Sequence, residues 1–130
     1  HTADLGLRIR APERHELFEE AAQALFSVIV VNFDEIAISR EVTFQLEADA
    51  RDELLHDWLA ELLYTFHVGH LVLRDFKVRL DDNRLRADAR GEPIDPDRHQ
   101  LDIEVKAITY HRLTVEQDEA GWLAEVIIDI

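Results

Sequence analysis

Asp4 and Asp129 stand near opposite ends of the chain, each inside a short alternating stretch. At the start, Leu5, Leu7 and Ile9 alternate with Asp4, Gly6, Arg8 and Arg10. At the finish, Trp122, Ala124, Val126, Ile128 and Ile130 alternate with Leu123, Glu125, Ile127 and Asp129. Successive strand side chains point to opposite faces, so both aspartates fall opposite the apolar series. If the two strands pair, the carboxylates converge, and Ile130 adds a carbonyl or terminal carboxylate. Two carboxylates about 4 Å apart repel by roughly 4 kcal/mol at an effective dielectric near 20. A bound cation removes that cost. With oxygen donors only, calcium, magnesium or manganese is favoured over zinc or copper.

One cation belongs in the same account. In the stretch Leu101 to Ala107, the phase Leu101, Ile103, Val105 and Ala107 reads as the core side of a strand. Lys106 then projects from the other side, with Asp102 and Glu104. An ammonium near carboxylates tunes their protonation or meets an anionic group. An ordinary exposed strand lysine gives the same pattern.

Other groupings point to structure more than to chemistry. His67 and His70 are three apart, but Gly69 between them breaks helical geometry, so a solvated helix end outweighs a zinc site. Asp57 and Glu61 lie one helical turn apart, the usual spacing of a solvated face. Asp81 and Asp82 read as turn residues. No Gly-rich phosphate loop, dinucleotide fingerprint or nucleophile elbow occurs. The absence of cysteine removes disulfides, thiolate metal sites and cysteine nucleophiles, and fits a reducing, cytoplasmic setting.

Charge restricts the partners. Against 14 Lys and Arg stand 28 Asp and Glu, a formal net charge of −14. Nucleic-acid affinity comes largely from cations that neutralise phosphates. Tight direct binding of RNA or DNA is therefore disfavoured; cations, basic protein surfaces or no particular partner fit such a charge, and solubility alone is its commonest meaning. The apolar runs are all shorter than the roughly 20 residues of a membrane helix. The alternation at the start is unlike a signal peptide. The missing initiator methionine suggests a missing lead-in.

The elements that must position these residues amount to one domain over 1–130. Its 130 residues and 47% hydrophobic content suit a single packed core. Ala11-Pro12-Glu13 begins a helix that runs to about Val28, with Leu17, Phe18, Ala21, Ala22, Leu25 and Phe26 as its apolar face. The β-branched run Val28 to Val31 leaves the helix. Glu41 to Ala48 alternates as a half-buried strand. Asp49 is expected to cap a second helix, with Asp52 completing a weak capping box and Gly69 ending it. Its stripe is Leu54, Leu55, Trp58, Leu59, Leu62, Leu63 and Phe66. Strands follow, with a hairpin at Asp81-Asp82-Asn83, a loop from Gly91 to Gln100 and a last turn at Glu119-Ala120-Gly121. The expected class is α+β: two helices on a largely antiparallel sheet of seven to eight strands.

Several segments together resemble archease. They are the opening His1-Thr2-Ala3-Asp4, the helix segment Asp57-Trp58-Leu59-Ala60-Glu61-Leu62-Leu63-Tyr64, and Gly91-Glu92-Pro93-Ile94-Asp95-Pro96-Asp97-Arg98-His99. Glu104-Val105-Lys106-Ala107-Ile108-Thr109-Tyr110-His111 and the closing Ile128-Asp129-Ile130 complete the set, in order, over nearly the whole chain. The resemblance implies a small acidic protein that assists the GTP-dependent RNA ligase of transfer-RNA splicing and RNA repair. It would promote guanylylation of the ligase and sustain turnover without being a ligase. It implies a metal site at Asp4, Asp129 and Ile130, and a functional lysine at Lys106. Two departures stand out. Ser27-Val28-Ile29-Val30-Val31 replaces a Met-Thr-Asp-like stretch, and Phe66-His67 replaces a Phe-Asp pair. The alternative reading is a small metal-dependent hydrolase in which Asp4 and Asp129 hold a catalytic ion. It lacks a convincing general base.

Overall fold

The computed structural model describes residues 3–130, so His1 and Thr2 of the opening segment lie outside the described residues. The element order is β1 (Asp4–Ala11), α1 (Arg14–Ile29), a short 3-10 turn (Phe33–Glu35), β2 (Arg40–Glu47), α2 (Arg51–His67), β3 (Leu71–Asp81), β4 (Arg84–Pro93), β5 (Ala107–Ile108), β6 (Thr114–Asp118) and β7 (Gly121–Asp129). Two antiparallel sheets result. One holds β1, β7, β5 and β6; the other runs β2-β4-β3. The class is the expected α+β, with seven strands.

β7 organises the first sheet. One edge pairs with β1 from Trp122 to Asp129. Its other edge pairs with β6 up to Glu125 and then with β5 at Ile128 and Asp129. Ala124, Val126 and Ile128 are buried on the core face. Both helices turn their apolar stripes inward because leucines, alanines and aromatics recur at helical spacing. Leu17, Phe18, Ala21, Ala22, Leu25 and Phe26 of α1 are fully buried. Trp58 of α2 is fully buried too. Its ring meets Phe44 edge-on at 5.3 Å and Phe76 at 6.3 Å, and its Nε1–H donates to the Phe18 carbonyl at 3.0 Å. That side chain joins α2 to α1 and to both outer strands of the second sheet.

Four local expectations need correction. Val28 and Ile29 stay in α1; Val30 is the residue that turns extended, forming a lone bridge to Leu101. Asp49 does not cap α2. Ala50 takes the extended cap position without a side-chain bond, so Asp49 sits one residue too early, and the Asp52 carboxylate accepts only the adjacent Glu53 N–H. α2 ends at His67, and the left-handed residue that follows is His70, with φ 54°, not Gly69. Gly69 serves close approach instead: a Cβ there would lie 2.6 Å from the Thr65 carbonyl oxygen. Finally, β4 continues through Gly91 and Glu92 to Pro93, and the loop starts only afterwards.

The expected strand from 101 to 107 is the largest departure. Only Ala107 and Ile108 join a sheet. Leu101 is 47% exposed, while Val105 and Ile108 are buried. The alternation Leu101, Ile103, Val105, Ala107 therefore breaks after Val105. In the antiparallel register Ala107 already faces Asp129, the last residue of β7, so the residues before Ala107 run past the end of β7 and find no partner there.

Candidate cation and lysine site

Asp4 lies directly opposite Asp129 in the antiparallel register of β1 and β7. Directly opposed residues share one face of a sheet. The Ile130 N–H donates to the Ala3 carbonyl at 3.0 Å. Asp4 and Asp129 are therefore the non-hydrogen-bonded pair beside it, the kind whose side chains approach most closely. The core residues Leu5 and Ile128 pair next to them, so the carboxylates face outward. Asp4 is exposed; Asp129 and Ile130 are half-buried.

Lys106 reaches this place by a device that alternation hides. Ala107 is the register partner of Asp129. Yet the Lys106 N–H also bonds the Asp129 carbonyl, at 2.8 Å. The Asp129 carbonyl thus takes the N–H of the residue just before its register partner, so the chain joins β7 one residue after Lys106. The burial order agrees: Val105 buried, Lys106 exposed, Ala107 half-buried, Ile108 buried. Lys106 and Ala107 both stay out of the core, on the outward side of Asp129. Among the described residues Lys106 makes no ion pair.

Two carboxylates and a main-chain oxygen from Ile130 would suit a hard cation, with solvent completing its shell. No three His, Asp or Glu side chains group together as a metal cluster among the described residues. A resident ion would therefore depend on Asp4 and Asp129 for its charge neutralisation. His67 is committed elsewhere, its Nε2 to the Val105 carbonyl at 2.9 Å. Asp57 is likewise engaged, with His56 Nδ1 at 3.0 Å, so it is not a free partner for Glu61.

Sequence reasoning missed one buried polar group. Glu92 and His99 are buried. The Glu92 carboxylate accepts from Arg98, from the Ala37 N–H at 2.6 Å and from His99 Nε2 at 2.9 Å. The Arg98 bond holds its carboxyl well below the usual range, from 4.5 to about 2, against the opposing effect of burial; the Ala37 and His99 bonds add to the lowering. The Asp95 N–H donates to His99 Nδ1 at 2.9 Å, which leaves the proton on Nε2. This cluster fastens the loop before the Lys106 segment. Its signal was present as Glu92, Arg98 and His99 within one proline-containing loop, but the Ala37 partner lies too far along the chain to be read locally.

The profile of the Archease protein family (MTH1598/TM1083) matches residues 1–130. The chain belongs to the archease family. Protein archease of Methanopyrus kandleri is 40% identical, over 100% of this chain and 95% of the relative. Protein archease of Pyrococcus furiosus is 41% identical, over 100% and 94%. Among solved structures, protein 1598 of Methanobacterium thermoautotrophicum superposes with a TM-score of 0.86 at 32% identity, covering 98% of this chain and 93% of that one. A Thermotoga maritima archease, described as a possible chaperone, gives a TM-score of 0.71 at 21% identity over 100% and 93% of the two chains, a likeness of fold. The archease fold is thus the frame that brings Asp4, Asp129 and Lys106 to one outward face. No helix of the described archease chain is long and apolar enough to cross a membrane.

Proposed function

We propose that this archease is a protein cofactor of a GTP-dependent RNA ligase in transfer-RNA splicing and RNA repair, acting in the cytoplasm. It promotes guanylylation of the ligase and its repeated turnover, and it is not itself an enzyme. The observation that carries this reading is the Asp4–Asp129 pair with Lys106 beside it on the same outward face. Family membership supplies the class of partner.

The chemistry follows from the groups present. Asp4, Asp129 and Ile130 hold a divalent cation, calcium or else magnesium or manganese, which supplies positive charge for phosphate or carboxylate oxygens. Asp4 and Asp129 orient its open positions outward, because their strands bury the opposite face. Lys106 brings a second cation on a flexible stem, suited to an anionic group at a partner's surface. RNA is met through the ligase rather than bound tightly by this chain. Charge distribution supports that division. Seven of the fourteen Lys and Arg residues lie on β2, β3 and β4, so the rest of the molecule is strongly acidic. An acidic surface steers the chain toward a basic partner.

The test pairs stability with activation. Calcium at a hundredfold excess over its Kd should stabilise the native protein by about 2.7 kcal/mol. In a thermal melt, Asp129→Ala should abolish that upward shift; a persisting shift removes Asp129 from the site. Lys106→Ala should keep its stability within about 0.5 kcal/mol, because the side chain lies outside the core. It should keep the calcium shift yet lose most of the stimulation of ligase guanylylation. Full stimulation by Lys106→Ala would end the role given to this lysine. Calcium-dependent ester or phosphoester hydrolysis by the chain alone, lost in Asp129→Ala, would favour the hydrolase alternative.

A further inference from the structure

Lys106 sits in a segment with little sheet to hold it. From Asp102 to Lys106 the backbone forms no strand. The Asp102 N–H bonds the Ile29 carbonyl at 3.2 Å and the Lys106 N–H bonds Asp129. The Val105 carbonyl is held differently: it accepts from His67 Nε2 at 2.9 Å. Two residues beyond Lys106, the Ile108 carbonyl accepts from His56 Nε2 at 3.0 Å. Both imidazoles belong to α2, three helical turns apart. Each has a second support. His56 also meets Asp57 through Nδ1 and stacks on Tyr110 at 3.7 Å, while His67 lies edge-on to Phe66 at 5.1 Å.

We propose that His67, aided by His56, is a positioning residue for Lys106: α2 grips the carbonyls on either side of the lysine and so fixes its place beside Asp4 and Asp129. This inference rests on the ligase-activating role of Lys106. The physical reason is geometric. Lys106 lies just outside the two-residue strand β5, so beyond its own N–H bond it has no ladder to hold it and its orientation needs outside support. Val105 is anchored in the core and Ile108 in the sheet, and side chains of α2 tie the Val105 and Ile108 carbonyls to a rigid element. An N–H donor on a helix flanked by packed aromatics is a stiffer tether than solvent.

The experiment compares His67→Leu, which removes the donor, with His67→Gln, whose amide N–H reaches a similar position. Two readouts are taken on the full chain. Amide hydrogen exchange over 103–107 should be faster in His67→Leu and return to the wild-type rate in His67→Gln. Stimulation of ligase guanylylation should fall about tenfold in His67→Leu, the upper range for one lost hydrogen bond, and recover in His67→Gln. Combining His67→Leu with Lys106→Ala should do no further harm than Lys106→Ala alone, as expected for residues acting in one unit. The calcium-induced melting shift should be the same in all variants, which separates loss of positioning from damage to the cation site. Unchanged exchange in His67→Leu overturns the proposal whatever the activity. So does a glutamine variant as defective as the leucine one, since that marks packing rather than the hydrogen bond. Faster exchange with a fully active Lys106→Ala would show a real tether but a failed reading of the lysine, and the positioning role would fall with it.

Discussion

Trp58→Ala is expected to lower the stability of the fold by about 3–5 kcal/mol, the usual cost of removing a fully buried large aromatic. Trp58 is entirely inaccessible and touches Phe44 and Phe76 edge-on. Edge-to-face aromatic pairs add about 0.5–1.5 kcal/mol beyond the area they bury. Truncation leaves a void between α2 and the second sheet that neither backbone can follow. The Phe18 carbonyl loses its indole donor as well, which loosens α2 from α1. Against a typical total stability of about 5–15 kcal/mol, this is a large fraction. Urea unfolding checks it: the midpoint should fall strongly while the slope is unchanged. Trp58→Phe should cost less, because it keeps one aromatic ring toward Phe44 and Phe76 while losing the second ring and the indole donor. A midpoint for Trp58→Ala within error of the wild type would mean that the core is not organised around this residue.

The second large effect concerns Glu92. All three of its partners are donors: Arg98, the Ala37 N–H and His99 Nε2. Glu92→Gln keeps the shape, but the new NH2 must face one of those donors. Breaking a buried ion pair by altering one member costs about 3–5 kcal/mol, and here about 2–4 kcal/mol, because the Arg98 side chain remains open to solvent on one side. The same carboxylate makes stability depend on pH. Its native pKa, about 2, is below the ordinary 4.5. A group lowered on folding contributes stability above its unfolded pKa and loses it as pH falls through the native value. Stability should therefore be nearly flat above pH 5 from this group, then decline between about pH 4.5 and 2. Glu92→Gln should be weaker at neutral pH and show a shallower decline over that window. Equal pH slopes for the two proteins would remove Glu92 as a source of acid lability.

How much of this was legible in the sequence depends on the distance over which each signal acts. The alternations around Asp4 and Asp129 were readable because one buried face imposes a period of two, and the register then places the two aspartates opposite each other. The stripe of α2 was readable for the same kind of reason. The Asp49 cap failed by a single residue, since Ala50 took the extended position. The strand drawn through Leu101 to Ala107 failed on a global count. Its alternation was plausible locally, but the antiparallel register sets Ala107 opposite Asp129, where β7 ends, so the residues before Ala107 have no strand to pair with. The placing of Lys106 was invisible because it needs two neighbours, Asp129 from β7 and His67 from α2, that no local pattern announces. Glu92 and His99 looked like loop polarity; they are buried because the 3-10 turn region folds over them.

The pairing of β1 with β7 has a consequence for how the molecule is made. Asp4 and Asp129 lie about 125 positions apart, and closing a loop of that length costs about 2 kcal/mol more than closing one of a dozen residues. During synthesis β1 emerges well before β7 and waits for it with an open strand edge, covered on one face by α1. Such an edge invites pairing with other chains until its own partner arrives. β5 and β6 likewise have no strand to join before β7 exists. The Asp4–Asp129 pair therefore cannot be assembled in stages. It forms only when β7 zips into the gap beside β1, and an ion held there would clamp the two strands together. Uptake of the proposed cation would thus report that β7 has joined β1, and a chain stalled before β7 would display Asp4 with no second carboxylate to answer it.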